Sequence, residues 1–132
     1  MSATRPGGLP VQDFELIARM AADAIYDKKG LDLEILEVGD LLAITEAFVI
    51  ATGTSRTHVR AVADGVEEAL ADKAGRKPLR REGADQGEWV LLDYGDVVVH
   101  LFQPDQRDYY GLERLWRDAP HISWEEPVAS EA

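Results

Sequence analysis

The fold of this chain is decided by residues 88–102, which read EWVLLDYGDVVVHLF. Two apolar runs rich in β-branched residues flank the four turn-forming residues 93–96, and Gly95 among them accepts the positive φ of a tight turn. This pattern predicts a β-hairpin. Because neither run alternates cleanly between apolar and polar residues, we expect the hairpin to lie inside a larger sheet, with helices covering at least one side.

Polar groups in the hairpin are the first candidates for function, because a buried sheet has to satisfy or expose them. They belong to Trp89, Asp93 and His100. The two-residue period of a strand divides residues 89–94 into one side with Trp89, Leu91 and Asp93 and another with Val90, Leu92 and Tyr94. One side should be core. Trp89 is then either a core aromatic or an interface anchor, and its shared side with Asp93 favours the interface, since a buried carboxylate needs a partner.

The composition predicts one soluble globular domain. The chain has 132 residues, of which 45% are hydrophobic, and no apolar run approaches the length needed to span a bilayer. It has no cysteine and no charged-then-apolar leader, so we expect a cytoplasmic protein without membrane contact. Its 25 acidic and 14 basic residues give a net charge of -11, which disfavours nucleic acid as the principal partner and favours a protein.

Outside the hairpin, the sequence predicts helices and strands in alternation. Apolar residues recur at helical spacing from residue 11 until Gly30, across residues 59–70, and in a last helix that carries Tyr109 to Ala119 and ends at Pro120. Short strands are predicted at residues 31–38 and 47–51, and another near Leu79. We therefore expect an α/β fold: a single domain with a mixed sheet of four to five strands flanked by about three helices. Residues 11–119 form this domain, residues 1–10 a disordered tail and residues 120–132 an acidic C-terminal tail.

No arrangement of residues indicates catalysis or a metal site. The turn TGTS at residues 52–55 is either a phosphate cradle or an ordinary strand-to-helix turn capped by Thr54 or Ser55, and neither a P-loop Lys nor a following Asp-x-Asp supports the first interpretation. The three histidines lack the close partners of metal ligands. A basic cluster is either a local RNA contact or a solvated loop; its residues are Lys73, Arg76, Lys77, Arg80 and Arg81.

Five segments together resemble the ribosomal silencing factor family, also called RsfS or Iojap-like proteins. They are FVIATGTS at residues 48–55, EG at 82–83, WVLLDYGD at 89–96, VVVHLF at 97–102 and RDYYGLERLW at 107–116. The resemblance covers residues 18–119, with the segments in the family's order and spacing.

The resemblance implies a non-enzymatic translation repressor with no cofactor and a fold similar to that of nucleotidyltransferases. Such a protein forms a homodimer and binds the large ribosomal subunit through its fourteenth large-subunit protein, with at most peripheral rRNA contact. It thereby blocks subunit joining when nutrients run short, as in stationary phase. The residues to which the resemblance assigns protein contacts are Trp89, Leu91, Asp93, Tyr94 and His100. The rival hypothesis is a nucleotide-binding or nucleotidyltransferase-like enzyme.

Overall fold

A computed structural model describes residues 13–42 and 44–126. In chain order the elements are α1 (Phe14–Asp27), β1 (Leu31–Glu37), β2 (Ala47–Thr52), α2 (Arg56–Ala74), β3 (Arg80–Glu82), β4 (Trp89–Asp93), β5 (Val97–Phe102), α3 (Pro104–Tyr110) and α4 (Leu112–Leu115). The five strands form one sheet in the order β1-β2-β5-β4-β3. This arrangement confirms the predicted α/β class.

The sheet is mixed, as predicted. β2 and β5 are parallel, and the other three pairs of neighbours are antiparallel. β4 and β5 form the predicted hairpin, which lies inside the sheet because β3 and β2 flank it. Its turn uses Gly95 at φ 91°, whose N–H donates to Asp93 Oδ1 over 2.8 Å. The local sequence thus specifies the hairpin through its turn as well as its strands.

The inner face of the sheet, which we define as the face packed against α1 and α2, holds the main core. It receives Val90 and Leu92 from β4 and Tyr94 from the turn after it, three residues that share one side as the two-residue period predicted, together with Val99 and Leu101 from β5. Gly53, in the turn into α2, lies so close to Val59 that a Cβ at this position would be 2.7 Å from the Val59 side chain. Ser55 begins α2 by accepting a hydrogen bond from the N–H of His58 over 3.1 Å. The predicted cap is therefore Ser55.

The outer face, opposite α1 and α2, holds a smaller core. Its buried members are Leu36, Val38, Phe48, Ile50, Phe102 and Ala119, with Trp89, Val98, Leu112 and Trp116 packed against them. The short helices α3 and α4 cover this core. They leave uncovered the part of the face near β3.

The predicted single C-terminal helix is wrong, because two short helices stand in its place. Gly111 breaks the helix by adopting a left-handed conformation, φ 55°, where a Cβ would lie 2.3 Å from Arg114 Nη2. Buried Arg107 bridges the break, since its Nε donates to Glu113 and its Nη1 donates to Thr52 Oγ1 over 2.9 Å. The strand predicted near Leu79 is β3, which begins one residue later.

The segment after Pro120, predicted to be a tail outside the domain, packs on the domain as far as Glu126. The N–H of Glu37 donates to the carbonyl of Pro120 over 2.8 Å, and the N–H of Ile122 donates to that of Ile35 over 2.9 Å. These bonds pair the segment with the free edge of β1. Trp124 then closes onto α1, donating from its indole to Asp23 over 2.8 Å. The predicted tail of residues 1–10 and the remainder of the C-terminal tail lie outside the described residues.

Candidate protein-binding site

The uncovered part of the outer face contains a groove of about 310 Å³, which we call the outer-face groove. Its lining, mostly apolar, comes from the β1–β2 loop, from β2, from the start of β3 and the residue before it, and from β4, β5 and the turn between them. The lining residues are Leu42, Ile44, Thr45, Phe48, Leu79, Arg80, Leu91, Asp93, Gly95, Val98 and His100. Two large apolar side chains on its rim point into solvent, since Ile44 is 82% and Leu79 72% exposed. Grouped exposed apolar side chains beside a groove are typical of protein-binding surfaces.

The charged part of the rim is internally paired. Arg80 donates from Nη2 to Asp93 Oδ2 over 3.0 Å, and from Nη1 to Glu82 over 3.3 Å. The other Asp93 oxygen accepts from Gly95. Asp93 therefore stabilises the hairpin turn and also places a carboxylate at the edge of the groove.

An aromatic cluster adjoins the groove at its other end. The Trp89 ring packs against Phe102 with 4.9 Å between ring centroids and against Tyr110 with 4.4 Å. Its indole N–H donates to His100 Nδ1 over 3.2 Å. Trp89 is thus half-buried, supported by neighbours on one side and accessible on the other. Its burial is therefore intermediate between that of a core aromatic and that of a fully exposed side chain.

His100 is the most deeply buried polar residue of the groove. Only 5% of it is exposed, and burial lowers its pKa from 6.5 to about 4, although the nearby Asp93 acts in the opposite direction. The ring is therefore neutral near pH 7. Its Nε2 has no hydrogen-bond partner among residues 13–42 and 44–126.

The structure brings four of the five predicted contact residues onto one face. Trp89, Leu91, Asp93 and His100 all lie on the outer face, along β4 and β5. Tyr94 is separated from them, because it is 3% exposed and packs in the main core of the inner face. Burial raises the pKa of its hydroxyl to about 12.

Sequence reasoning missed the groove residues that come from outside the hairpin. Ile44 and Thr45 belong to a connection that the sequence shows only as a turn region, and Leu79 was expected in a strand. The available signal was the run of large apolar residues at 41–44 in a segment without periodic structure. Exposed apolar side chains in a connecting loop often contact a partner.

The basic cluster is largely engaged within the chain. Arg76 pairs with Asp96 over 2.7 Å, Arg80 with Asp93, and Arg81 with Asp64 over 3.0 Å. These pairings favour the interpretation of a structural, solvated region over that of an RNA contact. Lys73 and Lys77 are exposed.

The TGTS turn is also hydrogen-bonded within the chain. The N–H of Thr54 donates to His58 Nδ1 over 2.9 Å, and the other ring nitrogen of His58 lies 2.8 Å from the carbonyl of Lys28. This geometry favours the interpretation of an ordinary turn, which here connects α1 with α2, and disfavours that of a phosphate cradle. No cluster of three or more metal-ligating side chains occurs within the part of the chain that the structure describes.

Comparison with known families decides what kind of protein carries this groove. Residues 11–132 match the family described as "Ribosomal silencing factor during starvation". The ribosomal silencing factor of Bacillus subtilis strain 168 is 41% identical over 104 residues, which are 79% of this chain and 87% of that protein. The chain belongs to the ribosomal silencing factor family.

A solved structure has the same fold as this chain. A crystal structure of a protein from Chromobacterium violaceum superposes with a TM-score of 0.77 at 37% identity, covering 90% of this chain and 98% of that one. A more distant relative, "Mitochondrial assembly of ribosomal large subunit protein 1" of Mus musculus, is 29% identical over 99 residues, 74% of this chain and 43% of that protein. Within the described residues, no helix of this silencing factor is long and apolar enough to cross a membrane.

Proposed function

We propose that this silencing factor uses the outer-face groove and the adjoining Trp89 to bind a protein of the large ribosomal subunit, and that the bound copy prevents the two subunits from joining. The observation that carries the proposal is the pair of exposed rim residues, Ile44 and Leu79, beside an apolar groove on an otherwise packed sheet. Membership of the family supplies the ribosome, and the name of the mouse relative points to the large subunit.

The mechanism requires occupancy and no chemical step. A folded chain of 132 residues has a radius of gyration of about 14 Å, so a bound copy holds two flat ribosomal faces apart. A typical interface of about 800 Å² per partner suffices for specific binding. The groove and its rim supply the apolar centre of such an interface, and Trp89 supplies an aromatic anchor.

Charge favours a basic protein as the partner. The chain carries a net charge of -11, and a carboxylate of Asp93 lies at the groove edge. Complementary charge accelerates encounter with a basic surface and disfavours direct contact with RNA phosphates. The partner within the subunit is the fourteenth large-subunit protein, following the family resemblance, with rRNA contact at most peripheral. The site of action is the cytoplasm, the free protein is a homodimer, and repression sets in when nutrients are limiting.

Co-sedimentation of the protein with purified bacterial ribosomal subunits tests this proposal. We expect binding to large subunits and none to small ones. Leu79→Asp places a charge on the groove rim and should weaken binding at least about tenfold, because an apolar contact is replaced by a desolvated carboxylate.

Leu16→Asp is the matched control. Leu16 is also exposed, at 48%, but lies in the first turn of α1, on the other side of the sheet, where an added acid suits the helix N-terminus. It should leave binding unchanged. Association with small subunits alone, or equal weakening by both substitutions, contradicts the proposal.

A further inference from the structure

The hydrogen bond from Trp89 fixes which nitrogen of His100 carries its proton. An indole N–H is a donor only, so His100 Nδ1 has to accept the bond that joins the two rings over 3.2 Å. A neutral imidazole has one N–H, which then sits on Nε2. The buried ring is neutral near pH 7 because its pKa is lowered to about 4. His100 therefore presents an N–H donor at Nε2.

That donor is unused in the free domain. Nε2 of His100 is shielded from water and has no partner in the ranges 13–42 and 44–126. The hydroxyl of Thr45, which is 6% exposed, is in the same condition. Both residues line the outer-face groove. Leaving two buried polar groups unpaired beside one groove costs folding free energy, which an apolar residue at either position would avoid.

A third buried and unpaired polar atom serves as a contrast. The hydroxyl of Tyr94 also has no partner among the described residues, but it lies in the main core of the inner face. It is not part of the groove lining. Of the three unpaired groups found among the described residues, those of His100 and Thr45 thus belong to side chains that line the groove.

We propose, building on the function proposed above, that the partner protein inserts a neutral peptide or carboxamide group into the outer-face groove, where its carbonyl oxygen accepts a hydrogen bond from His100 Nε2. The N–H beside that carbonyl is matched by Thr45, whose hydroxyl oxygen accepts. Because the lining shields Nε2 in the free domain, docking displaces a lining side chain. The occupant is thus a protein segment with apolar side chains around one buried amide.

The chemistry of the groove excludes the other common acceptors. A carboxylate would lose its hydration in a largely apolar groove whose lining cation, Arg80, is already paired with Asp93 and Glu82, in a chain with a net charge of -11. A nucleic-acid phosphate meets the same repulsion. A neutral carbonyl carries an acceptor without that cost, and a protein segment brings the apolar atoms that the walls of Leu42, Phe48 and Val98 require.

Two near-isosteric substitutions test the proposal by binding to purified large ribosomal subunits. His100→Phe keeps a ring but removes both ring nitrogens, so Nε2–H is lost together with the acceptor of the Trp89 indole N–H. It should weaken binding about tenfold without lowering the midpoint of thermal unfolding. Thr45→Val keeps the shape and removes the hydroxyl, and should weaken binding about threefold, also without loss of stability. Any purely structural role for these groups predicts the opposite, lost stability with unchanged binding.

A third variant separates the two ring nitrogens. His100→Gln carries an amide N–H at the reach of Nε2, and should bind more tightly than His100→Phe. In the wild-type domain, ¹⁵N NMR of His100 should show the proton on Nε2. A proton on Nδ1, or wild-type affinity in both His100→Phe and Thr45→Val, overturns the inference. If the wild-type protein itself fails to bind large subunits, the proposed function and this inference are both wrong. If the wild-type protein binds but His100→Phe and Thr45→Val bind equally well, only this inference is wrong.

Discussion

The two faces of the same hairpin follow different rules. On the inner face, Val90 and Leu92 are fully buried beneath α1 and α2. On the outer face, Leu91 is half-buried and the ring of His100 keeps a donor without a partner. Alternate residues of one strand thus serve stability on one side and, in the proposed function, recognition on the other. A sheet face that keeps uncovered apolar side chains and unpaired polar groups is therefore a candidate binding surface.

Neighbouring leucines of β4 give the largest expected contrast. Leu92→Ala removes a fully buried side chain from the main core and should lower the free energy of unfolding by about 2–5 kcal/mol. Leu91→Ala, on the groove side, should lower it by about 1 kcal/mol, because the side chain is already half in solvent. Urea denaturation of both variants measures the difference. Equal losses at the two positions would show that the outer face is as much a core as the inner one.

The pH dependence of stability should isolate His100. Above about pH 6.5 the ring is neutral in both the folded and the unfolded chain. As the pH falls from 6.5 to about 4, the unfolded chain binds a proton that the folded chain does not, so His100 destabilises the fold by on the order of 3 kcal/mol.

The matched control for this pH effect is His100→Phe, in which the carboxylates titrate as before. Unfolding free energies of the two proteins should diverge in favour of His100→Phe as the pH is lowered through this window. Parallel curves between pH 7 and 4 would mean that the ring titrates normally and is not buried.

Trp89 is expected to contribute both to stability and to binding. Because its ring packs on Phe102 and Tyr110, Trp89→Ala should cost about 2 kcal/mol of stability, less than a full core tryptophan. It should also weaken binding to large subunits per folded molecule by about thirtyfold, as expected of an aromatic anchor whose loss also releases His100 Nδ1. A denaturation curve and a binding curve on this one variant measure both effects. Lost stability with unchanged binding would assign Trp89 to the core alone.

The ion pair on the rim should have the smallest effect. Arg80 has a side chain that is 62% exposed, so its pairing with Asp93 is screened by water. Arg80→Met should change the free energy of unfolding by about 0.5 kcal/mol or less, as measured by urea denaturation. A loss well above about 1 kcal/mol would indicate that this pair contributes as much as the backbone ladder of β3 and β4 to holding β3 on the hairpin.

Much of the fold was predictable because its signals are local. The β-branched runs and the glycine turn indicate the hairpin. A hydroxyl placed just before a helical pattern indicates the cap at Ser55. The break at Gly111 was missed because a lone glycine also occurs inside helices. The docking of Trp124 on Asp23 depends on residues 101 positions apart, which no local pattern reveals.

The site was predictable only where it lies on the hairpin. Strand period placed Trp89, Leu91 and Asp93 together and Tyr94 on the opposite side. The structure shows that this opposite side is the main core, in conflict with the contact that the resemblance assigned to Tyr94. The rest of the groove includes the rim residues Ile44 and Leu79, which meet β4 and β5 only in the folded chain. Their exposure is a property of the tertiary structure.

Hydroxyl-radical footprinting of the protein with and without purified large ribosomal subunits tests whether the outer-face groove is the binding surface, because it compares the two sides of the sheet in one experiment. We expect protection of Ile44, Leu79 and Trp89 around the outer-face groove, and unchanged labelling of Leu16 and Tyr26 on α1. Protection of the α1 side chains with undiminished labelling around the groove would contradict it.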